Sequence, residues 1–214
     1  MPWTTPETFT AGQTLTAASM NVISDNARMG RAVFTNEAAR DAAITGPEEG
    51  MIAYLTAPTV PAATGGTTAL PTGITTIYNG SVWVCMTPVG AYTTNAGTTT
   101  SPSYTATLSG TPGTNPSVTL VTGTTAMVRH SCLIKSNNTG QGAVMSVAVS
   151  GAGTVAANDN WYVYSEITNY TSCSYAFVIT GLTAGTNTFT LQYRQGSATT
   201  GTYINRSIIV QGIA

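Results

Sequence analysis

The stretch NTFTLQYRQ, Asn187 to Gln195, decides the fold. Its apolar residues recur at every second position: Phe189, Leu191 and Tyr193 share one face, and Thr188, Thr190, Gln192 and Arg194 share the other. A period of two belongs to an extended chain with one buried face; a helix would scatter the same side chains around its axis. Working outward, strands are expected near 104–109, 117–122, 126–136, 142–150, 161–168, 173–180, 187–195 and 203–211. Turn residues separate them at Pro112-Gly113, Asn137-Asn138, Gly151 to Gly153, Asn158 to Asn160 and Gly196-Ser197. Evenly spaced strands with no helical pattern between them predict an antiparallel β-sandwich or jelly roll over about 98–214.

Upstream the pattern changes twice. Residues 48–97 read as a small β module and linker, with a strand at 51–55 and a hairpin at 76–86 turned by Asn79-Gly80. In this module Trp83 is expected as a packing residue. The Gly/Pro/Thr stretch between strand and hairpin reads as a flexible flap, and 88–103 as a linker or extended segment. Residues 1–47 carry two short helical patterns. One runs from about Ala17 to Met29, capped by Thr16, with Met20, Ile23 and Ala27 on one face; the other runs from Asn36 to Ala43, capped by Thr35. Both stripes are narrow and need a partner surface. The chain is therefore expected to be mainly β, with a short helical N-terminal segment.

Composition narrows the function. Only 7% of the 214 residues are charged, and the net charge is −1, against about 25% charged residues in an ordinary soluble domain. No long-range field draws nucleic acid or an anionic membrane, so neither is an expected partner. Nor is membrane insertion, because the uncharged run from Ala143 to Ala157 is short and broken by Ser, Gly and Thr. Forty-two Thr and 22 Gly make a composition of strands and turns. Residues 1–50 hold six acids, whereas the rest of the chain holds only Asp159 and Glu166. Cys85, Cys132 and Cys173 form no CxxC pair, so buried free thiols made in a reducing cytoplasm are expected. The opening MPWTTPETFT has neither the basic nor the apolar region of a signal peptide. A surface built from Thr, Ser, Asn and Gln suits a symmetric assembly, where a charge would face its own copies. It also suits a particle that persists outside cells.

Three stretches, FTAGQTLTAASMNVISDN (9–26), ARDAAITGPEEGMIAYL (39–55) with YNGSVWVCM (78–86), and LQYRQGSATTGTYINRSIIVQGI (191–213), together resemble bacteriophage fibre and minor tail proteins. The stretch 9–26 is similar to the segment by which such proteins dock onto the particle. The stretch 39–55 followed by 78–86 resembles a recurrent fibre module. The stretch 191–213 is similar to the last two strands of fibre-tip sandwiches, where an Asn-Arg pair precedes the final strand. The resemblance implies a virion protein assembled in the host cytoplasm, trimeric with copies of itself, and docked by its N-terminus to a capsid or tail protein. The attachment residues it implies are Phe9, Leu15, Met20 and Ile23; Trp3, on a proline-bounded arm, is expected as an aromatic anchor in a pocket of the docking partner, with a disordered tail as the competing expectation. Three roles follow: a tail fibre binding a host-surface glycan, a head fibre or capsid decoration protein without a receptor, and a tail-associated polysaccharide hydrolase.

The residues rank these roles. In NDNWYVYSEITNY (158–170), alternation sends Trp161, Val163 and Ile167 inward and Tyr162, Tyr164 and Glu166 outward. Outward tyrosines beside Asn158, Asp159 and Asn160 offer faces to stack on a sugar and amides to hydrogen-bond it; packing against a neighbouring subunit is the competing expectation. A lone carboxylate among three Asx residues favours an Asx turn over a calcium site. His130, the single histidine, is expected as a satisfied interior residue with Val128, Cys132 and Ile134, a metal or anion site on a threefold axis being the alternative. Asp159 and Glu166 are the sandwich's only carboxylates for glycoside hydrolysis, and Arg206 is the expected partner of Glu166. No catalytic set, metal ligand or cofactor motif is assigned, and the chain is read as non-enzymatic.

Overall fold

The computed structural model describes residues 32–196 and 199–214. The helix expected at 17–29 and the attachment residues Trp3, Phe9, Leu15, Met20 and Ile23 lie outside the described residues. In chain order the first elements are β1 (Ala32–Phe34), α1 (Glu37–Ala43), β2 (Ile52–Leu55), β3 (Ala62–Thr64), β4 (Thr67–Ala69), β5 (Ile74–Tyr78) and β6 (Trp83–Cys85). Then come β7 (Val89–Thr93), β8 (Gly97–Thr99), β9 (Ser109–Gly110), β10 (Ser117–Thr122), β11 (Thr125–Ser136) and β12 (Ala143–Gly151). The chain closes with β13 (Val163–Ser165), β14 (Thr171–Thr180), β15 (Gly185–Gln195) and β16 (Gly201–Ile213).

The expected β-sandwich is present. One sheet has the order β13-β12-β15-β10-β3; the facing sheet runs β14-β11-β16-β7-β4, with β8 and β9 attached beside β16. Pairing within both is antiparallel. Phe189, Leu191 and Tyr193 point inward from β15 and are fully buried, packed with Leu120, Met145, Val147, Val128, Ile208 and Val210. Full burial of side chains this size stabilises by about 1.5–3 kcal/mol each. On β11, Val128, His130, Cys132 and Ile134 face inward as the alternation predicts.

A third sheet, β1-β2-β5-β6, forms the small module; its β1/β2 pair is parallel. The Asn79-Gly80 hairpin forms. Gly80 takes φ 85°, and Asn79 Oδ1 accepts from the backbone N–H of Ser81 (3.2 Å) and Val82 (2.9 Å). Trp83 packs as expected: it is buried, with the Arg40 guanidinium 4.6 Å from its ring. The helix cap is Asn36 rather than Thr35; its Oδ1 accepts from Ala39 N at 3.0 Å, and Glu37 rather than Asn36 is the first helical residue.

Several strand assignments need correction. The expected flap contains β3, which pairs with β10, and β4, which pairs with β7, so the chain passes from one sheet to the other at Gly65-Gly66. The expected linker holds β7 and β8, both hydrogen-bonded to β16. The strand expected at 104–109 is largely absent. Ser101 and Thr105 side chains take up local backbone N–H groups, which competes with strand pairing; a single Thr105–Tyr193 bridge and two-residue β9 remain. The strand expected at 161–168 shortens to β13. Beyond Ser165 the chain turns, its Glu166 and Ile167 carbonyls accepting from Gly140 and Ser136, and Ile167 is exposed rather than inward.

Near the C-terminus, β16 carries a bulge against β11. Ser207 lies opposite Ser131 and Ile204 opposite Leu133, so one residue more is spent on β16, and Asn205 adopts φ 51°. The extra residue reverses the alternation, and Arg206 turns into the core. Asparagine tolerates the left-handed region because its short amide solvates the local backbone. Asn205→Val is therefore expected to cost about 1–2 kcal/mol, read as a lower urea midpoint with an unchanged m-value; an unchanged midpoint would show that the bulge does not depend on this residue.

Candidate functional site

The loop between β12 and β13 builds the site. Ser146, fully buried on β12, donates to the carbonyls of Asn158 (2.8 Å) and, alternatively, Trp161 (3.1 Å), fastening the loop over the sheet. Asn158 Oδ1 accepts from Asn160 N at 2.8 Å, the expected Asx turn. Trp161 folds inward: its Nε1 donates to Val147 O (3.3 Å), and its ring stacks on Phe177 of β14 with centroids 5.2 Å apart. With Trp161 and Val163 held on the inner side, Tyr162 and Tyr164 face solvent at 40% and 41% exposure. Their rings stand edge to face, 6.1 Å apart at 86°.

Polar groups frame the two rings. Tyr164 Oη donates to Glu166 Oε2 at 2.6 Å, which holds the phenol above its ordinary range. Arg194 projects from β15 on the same face, separated from Tyr164 by Val144 in the cross-strand register. It binds Asp159 with Nη2 on Oδ2 (2.7 Å) and Nε on Oδ1 (3.3 Å), and its guanidinium lies 5.3 Å from the Tyr104 ring. Tyr104 Oη completes the group with a 2.6 Å bond to Asp159 Oδ1. The Tyr104 and Arg194 bonds hold the Asp159 carboxyl below the usual carboxylate range. Burial, and then the bond to Asp159, push the Tyr104 phenol up. Asp159 thus stays ionised, the reverse of the shift a general acid requires.

The predicted residues Asn158, Asp159, Asn160, Tyr162 and Tyr164 therefore come together on one loop and strand. Tyr104 and Arg194 join them, which sequence reasoning missed as site residues. Alternation did place Arg194 outward; Tyr104 lies 55 residues from Asp159 and gave no signal. The expected Glu166–Arg206 pair is not formed: Arg206 is buried beside Tyr193, and Tyr164 takes the Glu166 carboxylate. His130 is interior as expected but not satisfied, since neither ring nitrogen has a hydrogen-bond partner among the described residues. Among those residues no three His, Cys, Asp or Glu side chains gather as a metal site.

A separate cavity of about 70 Å³ lies in the small module, lined in part by Glu37, Arg40, Thr76 and Trp83. Burial works to raise the Glu37 carboxyl. The backbone N–H groups of Thr59 and Val60, with the Thr59 hydroxyl, outweigh it and leave the group below its ordinary value. The cavity is well under the roughly 300 Å³ at which small-molecule pockets begin, so the exposed tyrosine face is the stronger candidate.

No family model matches the chain, and no curated protein matches it in sequence. Solved structures similar to it include the CBM22-1 xylan-binding domain of Xyn10C from Paenibacillus barcinonensis, at 10% identity over 72% of this chain and 83% of that one, TM-score 0.33. Another is the Eiger TNF structure from S. frugiperda, at 10% identity over 58% of this chain and 92% of that one, TM-score 0.35. A third is TmCBM61 in complex with β-1,4-galactotriose, at 12% identity over 57% of this chain and 68% of that one, TM-score 0.26. None of these likenesses assigns a ligand to this chain.

Proposed function

We propose that the chain is a non-enzymatic bacteriophage fibre protein, a homotrimer whose sandwich binds a host-surface glycan through Tyr162 and Tyr164 with Asn158, Asp159 and Asn160. The observation that carries this reading is the geometry of the tyrosine face. Two half-exposed rings at right angles stand at β13, backed by Trp161, with the Glu166 carboxylate bound by Tyr164 and the Asp159 carboxylate fixed by Arg194. Such a surface presents stacking faces and acceptors already in place, so little ordering entropy is lost on binding. Location on a virion and N-terminal docking rest on the resemblance of 9–26, 39–55 and 191–213 to fibre proteins. Trimeric copies on a particle would multiply a weak single-site affinity.

Replacing Tyr162 and Tyr164 together by Ala is expected to weaken binding to a glycan array at least about tenfold, with the oligomer unchanged in sedimentation equilibrium. Gly142→Ala tests position independently: a Cβ there would overlap the Tyr164 ring and displace it while leaving the residue present. Unchanged glycan binding in the double variant, with the oligomer intact, would overturn the reading, and a monomer at micromolar concentration would overturn the trimer.

A second reading, a head fibre or capsid decoration protein, is favoured by a different surface. Val178, Met127, Ile209 and Tyr92 are exposed on one face across β14, β11, β16 and β7, with Arg129 the charged residue among them. Cross-linking within purified particles decides between a buried and a solvent-facing role for it.

A further inference from the structure

Cys132 and Cys173 lie directly opposite each other in the β11/β14 ladder, and both are free thiols. Opposed residues of an antiparallel pair project to the same face, with Cα atoms about 4.5–5.5 Å apart. That separation falls inside the range of about 4.4–6.8 Å that a disulfide spans. Cys132 is buried; Cys173 is half-buried, and its Sγ donates to Tyr164 O at 3.5 Å. The strand that carries Cys173 is itself unusual. β14 is the edge of its sheet, ten residues long, with no charge, proline or glycine. Edge strands are normally guarded by lysine, proline or a bulge against pairing with other chains. A covalent tie to the neighbouring strand is another way to hold such an edge.

We propose that Cys132 and Cys173 are an oxidation site, forming a cross-strand disulfide that clamps β14 to β11 when the folded protein meets a mild disulfide oxidant such as oxidised glutathione. The more accessible Cys173 reacts first. It loses its proton to solvent, and the thiolate attacks one glutathione sulfur and expels a glutathione thiolate, which takes up a proton. Cys132, deprotonated in turn, attacks Cys173 Sγ and expels the second glutathione. Two protein thiols and one oxidised glutathione thus become one protein disulfide and two reduced glutathiones. Burial holds both thiols above their ordinary range, so the exchange accelerates as pH rises. The Cys173 bond to Tyr164 O is given up in the process. The proposal rests on the strand register alone and stands apart from glycan binding.

The test uses the wild-type full chain. Folded protein is incubated with oxidised glutathione at mildly alkaline pH, alkylated, and digested with trypsin, which cleaves after Arg129, Lys135 and Arg194. The expected result is peptide 130–135 joined to peptide 136–194, an intact mass lower by two hydrogens, and Cys85 still a thiol. Tm is expected to rise on the order of 5–15 °C, and the rise disappears in Cys173→Ser. A stable glutathione adduct on Cys173 beside a free Cys132, a link between two chains, or two unreacted thiols would each overturn the proposal. The peptide mapping needs no variant, so its result does not hinge on whether a substituted chain folds.

Discussion

Arg206→Ala is expected to destabilise the protein by about 3–5 kcal/mol, a large part of the roughly 5–15 kcal/mol that holds a typical domain folded. The side chain is 1% exposed between the sheets, 5.4 Å from the Tyr193 ring. Nη1 donates to Tyr193 Oη at 3.1 Å, and Nη2 donates to the carbonyls of Asn95 (3.4 Å) and Pro112. No carboxylate is among these partners; a phenol and two carbonyls take the place of a counter-ion. Truncation takes the donor from the buried Tyr193 hydroxyl and opens a cavity at the same time. Arg206→Met separates the two causes, because it restores most of the volume and none of the donors. Urea midpoints are expected to fall in the order wild type, Met, Ala. An Ala variant within 1 kcal/mol of wild type (an interval set by ordinary buried hydrogen bonds, about 0.5–1.5 kcal/mol) would show that the guanidinium contributes no net stability.

Arg206 also shows what a linear sequence hides. Alternation located the long strands because their inward residues are bulky and their outward ones polar: Phe189, Leu191 and Tyr193 against Thr188, Thr190 and Gln192. It failed where inward and outward residues look alike. In β3, β4 and β8, Thr, Gly and Ala occupy both faces, and in β7 the bulkiest residue, Tyr92, faces outward; these strands form because β10, β7 and β16 offer them unpaired edges. It failed again at Asn205, where one left-handed residue inverts the alternation and sends a residue expected at the surface into the core. Five of the seven residues gathered at the candidate site were legible for the same reasons. Residues 158–164 are contiguous and carry their own turn chemistry; Tyr104 and Arg194 reach Asp159 only through the folded sheet.

Between pH 6.5 and about 4 the protein is expected to lose about 3 kcal/mol of stability through His130 alone. The ring is fully buried, edge-on to Phe177 (5.9 Å) and Tyr175 (6.4 Å), and neither nitrogen has a hydrogen-bond partner among the described residues. Burial pushes its pKa down to about 4, offset in part by the Trp161 backbone, which lies near the ring short of a well-formed hydrogen bond. The group is a base whose folded-state pKa is depressed. The unfolded chain takes up the proton below about 6.5 while the folded chain refuses it, so stability is full above 6.5 and falls with pH until the folded ring titrates near 4. About 2 kcal/mol should be gone by pH 5. Asp159 and Glu37 sit below their ordinary values, so the stability they contribute is lost only at the acid end of this window. The chain has one histidine, which makes the slope between pH 6.5 and 5 assignable. His130→Phe keeps the edge contacts to Tyr175 and Phe177, removes two unpartnered nitrogens and abolishes the proton. Urea midpoints of this variant are expected to be flat from pH 7 to 5 and no lower than wild type at pH 7. A wild-type profile that is itself flat, or a Phe variant that keeps the slope, would place the acid sensitivity elsewhere.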